Sequence, residues 1–155
     1  MKYLNSEITF REIPDEITLC INISNCPFKC IGCHSPELQK DIGEELTLSV
    51  LNKLLSKNKG VTCIVFMGGD SEIKVLELML KFVKFNYPNL KTAWYSGRKT
   101  IPLIFDLTTL DFLKLGPYIK EYGPLDNKTT NQRLYRLKHI DLFTLFENIT
   151  YKFWK

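Results

Sequence analysis

From Val61 to Met67 the chain is apolar at every position but Thr62. A strand with one wet face alternates in polarity. An apolar run of strand length fits a strand covered on both faces, as in parallel sheets flanked by helices. The flanking sequence agrees. Leu48, Leu51, Leu54 and Leu55 recur at helical spacing within Leu46–Lys57, with Thr47 or Ser49 as cap and Asn58-Lys59-Gly60 as stop. After Met67 come Gly68-Gly69-Asp70 and a second helix over about Ser71–Asn86, with Ile73, Leu76, Leu80 and Val83 on one stripe. Leu90–Tyr95 reads as the next strand, ending in Ser96-Gly97-Arg98, and Asp111–Leu115 as a short fourth, ended by Gly116-Pro117.

The first strand of this series is Ile17–Ser24, where Leu19, Ile21 and Ile23 take one face and Thr18, Cys20, Asn22 and Ser24 the other. An apolar outside suits helix packing, and a semi-polar inside suits a site. Directly after it comes Cys26-Pro27-Phe28-Lys29-Cys30-Ile31-Gly32-Cys33-His34, with cysteines spaced C-x3-C-x2-C. The C-terminal ends of parallel strands are where α/β folds place their chemistry. Thiolates clustered in one loop are soft ligands for zinc or for an iron–sulfur cluster. A structural zinc site wants four ligands, commonly two pairs. Here the second pair is missing, and His34 abuts Cys33, so the two side chains diverge. Three cysteines satisfy three irons of a four-iron cube and leave the fourth open. Zinc, or a thiol-only role, stays as the alternative. The reading of residues alone also keeps a non-catalytic zinc or iron–sulfur module in view.

The spacing, and the wider run Cys30-Ile31-Gly32-Cys33-His34-Ser35-Pro36-Glu37-Leu38, resemble the cluster loop of radical S-adenosylmethionine enzymes, most closely the small activating proteins of anaerobic (class III) ribonucleoside-triphosphate reductase. Gly116-Pro117-Tyr118, Asn131-Gln132-Arg133 and Asn148–Trp154 resemble further segments of those activases. The resemblance implies a shortened, open partial (β/α) barrel and a 4Fe-4S cluster on Cys26, Cys30 and Cys33. It implies S-adenosyl-L-methionine bound at the open iron and cleaved by one electron. The resulting 5′-deoxyadenosyl radical would take a hydrogen from a glycine Cα of the reductase. It implies the reductase as protein substrate and a small reducing electron-transfer protein as electron source. Gly68-Gly69-Asp70 corresponds to a Gly-Gly-Glu-like turn that holds the methionine amino group; its residue-level reading is only a sharp turn with an Asp N-cap. Ser96 corresponds to a position beside the bound cofactor. Many superfamily members carry an aromatic residue where this chain has Gly32, so adenine packing must come from elsewhere, with His34 as a candidate. An activase for another glycyl-radical enzyme, such as a formate C-acetyltransferase, or a small-molecule radical enzyme is the alternative within the superfamily.

At 155 residues, 45% of them apolar, one domain over residues 1–155 with a real core is expected. No apolar run is long enough to span a bilayer, and no secretory leader is evident, so a cytoplasmic protein without membrane contact is expected. The net charge of +4 is mild and scattered except in Arg133–His139, which reads as a solvated face or as a dock for an acidic partner; nucleic acid is not expected. Cys20 and Cys63 lie in apolar runs and read as core residues. Ile101–Leu110 reads as partly helical. Met1–Ile13 shows no helical period, and Tyr118–Lys155 gives no clear pattern.

Overall fold

The apolar run becomes an inner strand of an eight-stranded open sheet. The computed structural model describes residues 1–154. In chain order the elements are β1 (Lys2–Thr9), β2 (Thr18–Ile23), β3 (Glu44–Glu45), α1 (Leu48–Lys57), β4 (Cys63–Met67), α2 (Ile73–Asn86), β5 (Lys91–Tyr95), β6 (Phe112–Leu115), β7 (Arg133–Ile140) and β8 (Phe143–Asn148). The sheet order is β3-β1-β2-β4-β5-β6-β7-β8. The middle four strands, β2, β4, β5 and β6, are parallel and lie in chain order. These are the four strands expected from the sequence, and the fold is a mixed α/β sheet with a parallel core, compatible with a partial barrel.

Antiparallel strands extend that core on both sides. β1 pairs with β2 and β3, and β7 pairs with β6 and β8. These four strands went unread because their faces are unevenly covered. β1 and β8 are mostly exposed or half-buried along their length, so neither carries the alternation that a buried face imposes. The expected helix within Ile101–Leu110 is only a 3₁₀ turn at Leu107–Thr109. Asp106 ends it on the N-terminal side by accepting the Thr108 amide at 3.1 Å, and the rest of that segment is irregular.

The outer face of the parallel core is apolar apart from Thr92 of β5, which is buried and donates its hydroxyl to the Thr109 carbonyl at 2.7 Å. Leu19, Ile21 and Ile23 of β2, Ile64 and Phe66 of β4, and Trp94 of β5 pack against Leu51 and Leu55 of α1 and Leu76, Leu80 and Val83 of α2. Full burial of each such side chain contributes about 1.5–3 kcal/mol. The α1 start follows the sequence expectation: Thr47 Oγ1 accepts the Val50 amide at 3.2 Å. The inner face carries Cys20, Cys63, Val65, Ala93, Tyr95 and Phe112, closed over by Ile13, Leu134 and Ile149. Burial pushes the Cys20 and Cys63 thiols up, away from thiolate. Past this layer, toward the C-terminal ends of the strands, the inner face turns polar.

Candidate metal and cofactor site

The cysteine loop leaves the end of β2 and is pinned at its base. The Asn25 amide donates to the Lys40 carbonyl and the Cys26 amide to the Leu38 carbonyl, each at 2.9 Å. Buried Ser24 donates its hydroxyl to the Ile42 carbonyl at 2.6 Å. Within the loop, the Cys33 amide reaches the Cys30 carbonyl at 3.2 Å and Gln39 Nε2 reaches the same carbonyl at 3.4 Å. Asn25 and Lys29 adopt left-handed backbone, with φ of 61° and 46°. That conformation is unfavourable for side chains with a Cβ, so the loop holds strain just where the cysteines sit.

Phe28 anchors the loop to β5. Its ring lies so close to Gly97 that a Cβ there would come within 2.4 Å of Phe28 Cδ2. Gly97 is therefore a packing requirement. The glycine turn after β4 is different, because Gly68 and Gly69 have φ of 104° and 90°, which only glycine adopts freely. Its carbonyls have donors within the chain: Trp94 Nε1 donates to Gly68 at 2.9 Å, and the Glu72 amide to Gly69 at 3.1 Å.

Asp70 does not cap α2; that position belongs to Glu72, whose side chain makes no cap hydrogen bond. The Asp70 carboxylate is buried and faces the cysteine loop from across the site. Ser96, also buried, donates to it at 2.5 Å, and the Gly97 amide at 3.4 Å. Arg98 Nε lies 3.3 Å from Asp70 Oδ1, misaligned for a hydrogen bond, while its terminal amino group donates to the Asp70 carbonyl at 3.0 Å. Burial raises the Asp70 pKa, and the Ser96, Gly97 and Arg98 contacts oppose that rise.

One cavity of about 370 Å³ gathers these groups. Cys26, Cys30 and Cys33, all half-buried, line it together with His34, Gly68, Asp70 and Ser96. Gly69, buried beneath the turn against Leu76 and Met1, is not on its wall. The sequence-derived residues thus converge, apart from Gly69, on one end of the parallel strands. A cleft of similar size, about 380 Å³, at the opposite end between the two helix C-termini is lined by no thiol, carboxylate or imidazole.

The donor set suits soft iron chemistry. Three thiols open on one cavity, and the remaining two cysteines belong to the buried inner layer. No three His, Cys, Asp or Glu side chains among the described residues are gathered tightly enough to hold a single metal ion. A cube makes a looser demand, because each thiolate binds its own iron. Burial raises the Cys26 pKa, so the thiol form is favoured until a metal displaces its proton.

Two wall residues, Lys114 and Glu12, were not singled out from the sequence, and Tyr118 and Gln132 were named there only within resembling segments. Lys114, on β6, is buried, and its ammonium donates to the Gly116 carbonyl at 2.8 Å. Burial lowers its pKa to about 8, against the pull of Asp70 and the three cysteines. A single polar residue inside the apolar strand Phe112–Leu115 was the available signal. Glu12 lines the floor, where burial raises its pKa; the Tyr95 hydroxyl donates to its backbone carbonyl. Tyr118 sets its ring 5.1 Å from that of exposed His34. Gln132 is on the wall, with Nε2 3.3 Å from the Gly116 carbonyl. Arg133 turns back onto the Thr130 and Gln132 carbonyls. The basic run Arg133–His139 proves to be β7, with Lys138 paired to Glu147 at 3.0 Å.

No helix among the described residues is long and apolar enough to cross a membrane. No curated protein and no solved structure matched the chain. A family model did, over residues 17–138, a span that takes in the cysteine loop, the Gly68–Asp70 turn, Ser96 and Lys114. The chain belongs to the 4Fe-4S single cluster domain family.

Proposed function

We propose that this protein is a radical S-adenosylmethionine activase that installs a glycyl radical on anaerobic ribonucleoside-triphosphate reductase. One observation carries the reading: the three-cysteine loop, the Gly68–Asp70 turn and Ser96 sit around one cavity at the C-terminal ends of parallel strands. When bound, a reduced 4Fe-4S cluster and S-adenosyl-L-methionine together supply a 5′-deoxyadenosyl radical, and the protein supplies binding, orientation and shelter.

Cys26, Cys30 and Cys33 ligate three irons, and no fourth thiol lines the cavity. The Asp70 carboxylate, held by Ser96 and Arg98, gives the wall a fixed negative charge suited to the ligand's ammonium group. Ser96 acts by orienting Asp70, since its hydroxyl donates to that carboxylate and accepts the Arg98 amide at 3.0 Å. Gly68 and Gly69 shape the turn that delivers Asp70. His34 and Tyr118 offer the aromatic surface for adenine that Gly32 cannot give. Met67, Phe28 and Leu125 limit water on the inner wall. Ile31, exposed beside Cys30, offers an apolar contact for a protein substrate at the rim.

The choice of reductase rests on the Gly32-Cys33-His34-Ser35-Pro36-Glu37 run and on the open sheet, which leaves a macromolecule room to reach the site. The test is to mix the anaerobically reconstituted protein, a reductant and S-adenosylmethionine with the reductase and to record the electron paramagnetic resonance spectrum. A glycyl radical doublet is expected. Cofactor cleavage without that doublet would remove the reductase as substrate.

A further inference from the structure

Lys114 carries a positive charge into the interior without a carboxylate to meet it. Its residue is only 9% exposed, and its hydrogen bond goes to a neutral carbonyl, that of Gly116. It is in none of the ion pairs among the described residues. An ammonium has three donors, and the protein supplies an acceptor for one of them. A buried charge without a partner is costly, and its retention calls for an anion.

The position of that charge is fixed. The Gly116 carbonyl that holds Lys114 also accepts from Gln132, which ties the end of β6 to the start of β7. The Tyr95 ring centroid lies 6.0 Å from the ammonium on another side. The anionic groups facing the same cavity are Asp70, Glu12 and the three loop cysteines as thiolates. Asp70 is already committed to Ser96, Gly97 and Arg98. Glu12 lines the same cavity, and the Lys114 charge acts on its carboxyl without an ion-pair contact. Asp70 and the cysteine group both draw on the ammonium, and of the two only a cluster on the cysteines gains negative charge on reduction.

We infer that Lys114 is a positioning residue, a fixed counter-charge that raises the reduction potential of the cluster held by Cys26, Cys30 and Cys33. Reduction adds one electron, from a low-potential chemical reductant or an electron-transfer protein, and takes the cluster core from 2+ to 1+ with no bond broken. The added negative charge meets the Lys114 ammonium in a low-dielectric wall, where the attraction is strong. Net charge and burial around a cluster are among the levers by which a protein sets its potential. The inference rests on the cysteine part of the proposed function, and not on S-adenosylmethionine or the reductase.

The experiment is a redox titration of the anaerobically reconstituted full chain, without S-adenosylmethionine, for wild type, Lys114→Met, Lys114→Arg and the control Lys53→Met at an exposed position of α1. The expected result is a lower midpoint potential in Lys114→Met, a near-wild-type value in Lys114→Arg and no change in Lys53→Met. If Lys114→Met folds but loads no cluster while Lys114→Arg loads one, the charge requirement is equally supported. An unchanged potential in Lys114→Met, or an equal fall in Lys114→Arg, overturns the inference. So does failure of both variants to load a cluster. A wild type without iron and sulfide removes the cysteine reading itself. A clear Lys114 effect in a protein that cannot cleave S-adenosylmethionine removes only the proposed function.

Discussion

The two faces of the parallel core are built to different ends. On the helix side, Leu19, Ile21, Ile64, Phe66, Trp94 and Leu113 are all fully buried and apolar. On the cavity side, the same strands bury Cys20, Val65 and Ala93, then end in Asn22, Met67, Tyr95 and Lys114. The first face stabilises the fold. The second gives up some stability to hold charge and thiols in a fixed place. Substitutions on the two faces should therefore move stability in opposite directions, and Trp94 and Lys114 make the sharpest pair.

Trp94→Ala should have the largest effect. It removes a fully buried ring, its stack on Phe105 at 4.9 Å and the donor to the Gly68 carbonyl. A loss of about 3–5 kcal/mol is expected in denaturant unfolding. A loss below about 1 kcal/mol would mean that the helix-side face is not the stabilising one.

Lys114→Met should do the reverse in the cluster-free protein. Burial holds Lys114 at about 8, below its usual 10.5, so folding disfavours its charged form. The resulting penalty is absent above about 10.5, builds as pH falls toward 8 and is complete below it. At pH 7 the variant should be more stable than wild type by roughly 3 kcal/mol or less. That advantage should shrink steadily as chemical unfolding is repeated up to pH 10. A variant less stable than wild type at pH 7 would contradict the picture of an unpaired buried charge.

Gly97→Ala tests the joint between the faces and the cysteine loop. Its new methyl group would sit 2.4 Å from the Phe28 ring, so Phe28 must move. Overpacking of this kind costs about 1–3 kcal/mol. Cluster loading should fall with it, and Phe28→Ala in the same chain should restore the stability. Lys29→Gly is the mildest change. It relieves a left-handed residue and should stabilise the loop by about 1 kcal/mol or less, as read by thermal unfolding.

Legibility in the sequence followed burial. β2, β4, β5 and β6 have covered faces, so periodicity reveals them; β7 and β8 form a hairpin whose edge leaves Phe143, Leu145 and Phe146 exposed. Exposed apolar residues there blur the pattern that would have marked the strands. At the site, Cys26, Cys30 and Cys33 were legible because thiol spacing is a local property. Asp70 and Ser96 were legible as separate strand-end residues, but not as a hydrogen-bonded pair, since 26 residues separate them. Lys114 and Glu12 were missed because only the sheet brings their strands and loops to one cavity, and Tyr118 was in view only as part of a resembling segment, without its place beside His34. Phe28 and Gly97 were in view, yet their contact depends on where β2 and β5 end.

The most direct measurement is high-performance liquid chromatography of the wild-type protein, reconstituted with iron and sulfide under anaerobic conditions, then given S-adenosylmethionine and dithionite. A brown protein carrying about four irons per chain should release 5′-deoxyadenosine, and Cys26→Ser should release none. A colourless protein that holds zinc, or an iron-loaded one that leaves S-adenosylmethionine intact, would contradict the central claim.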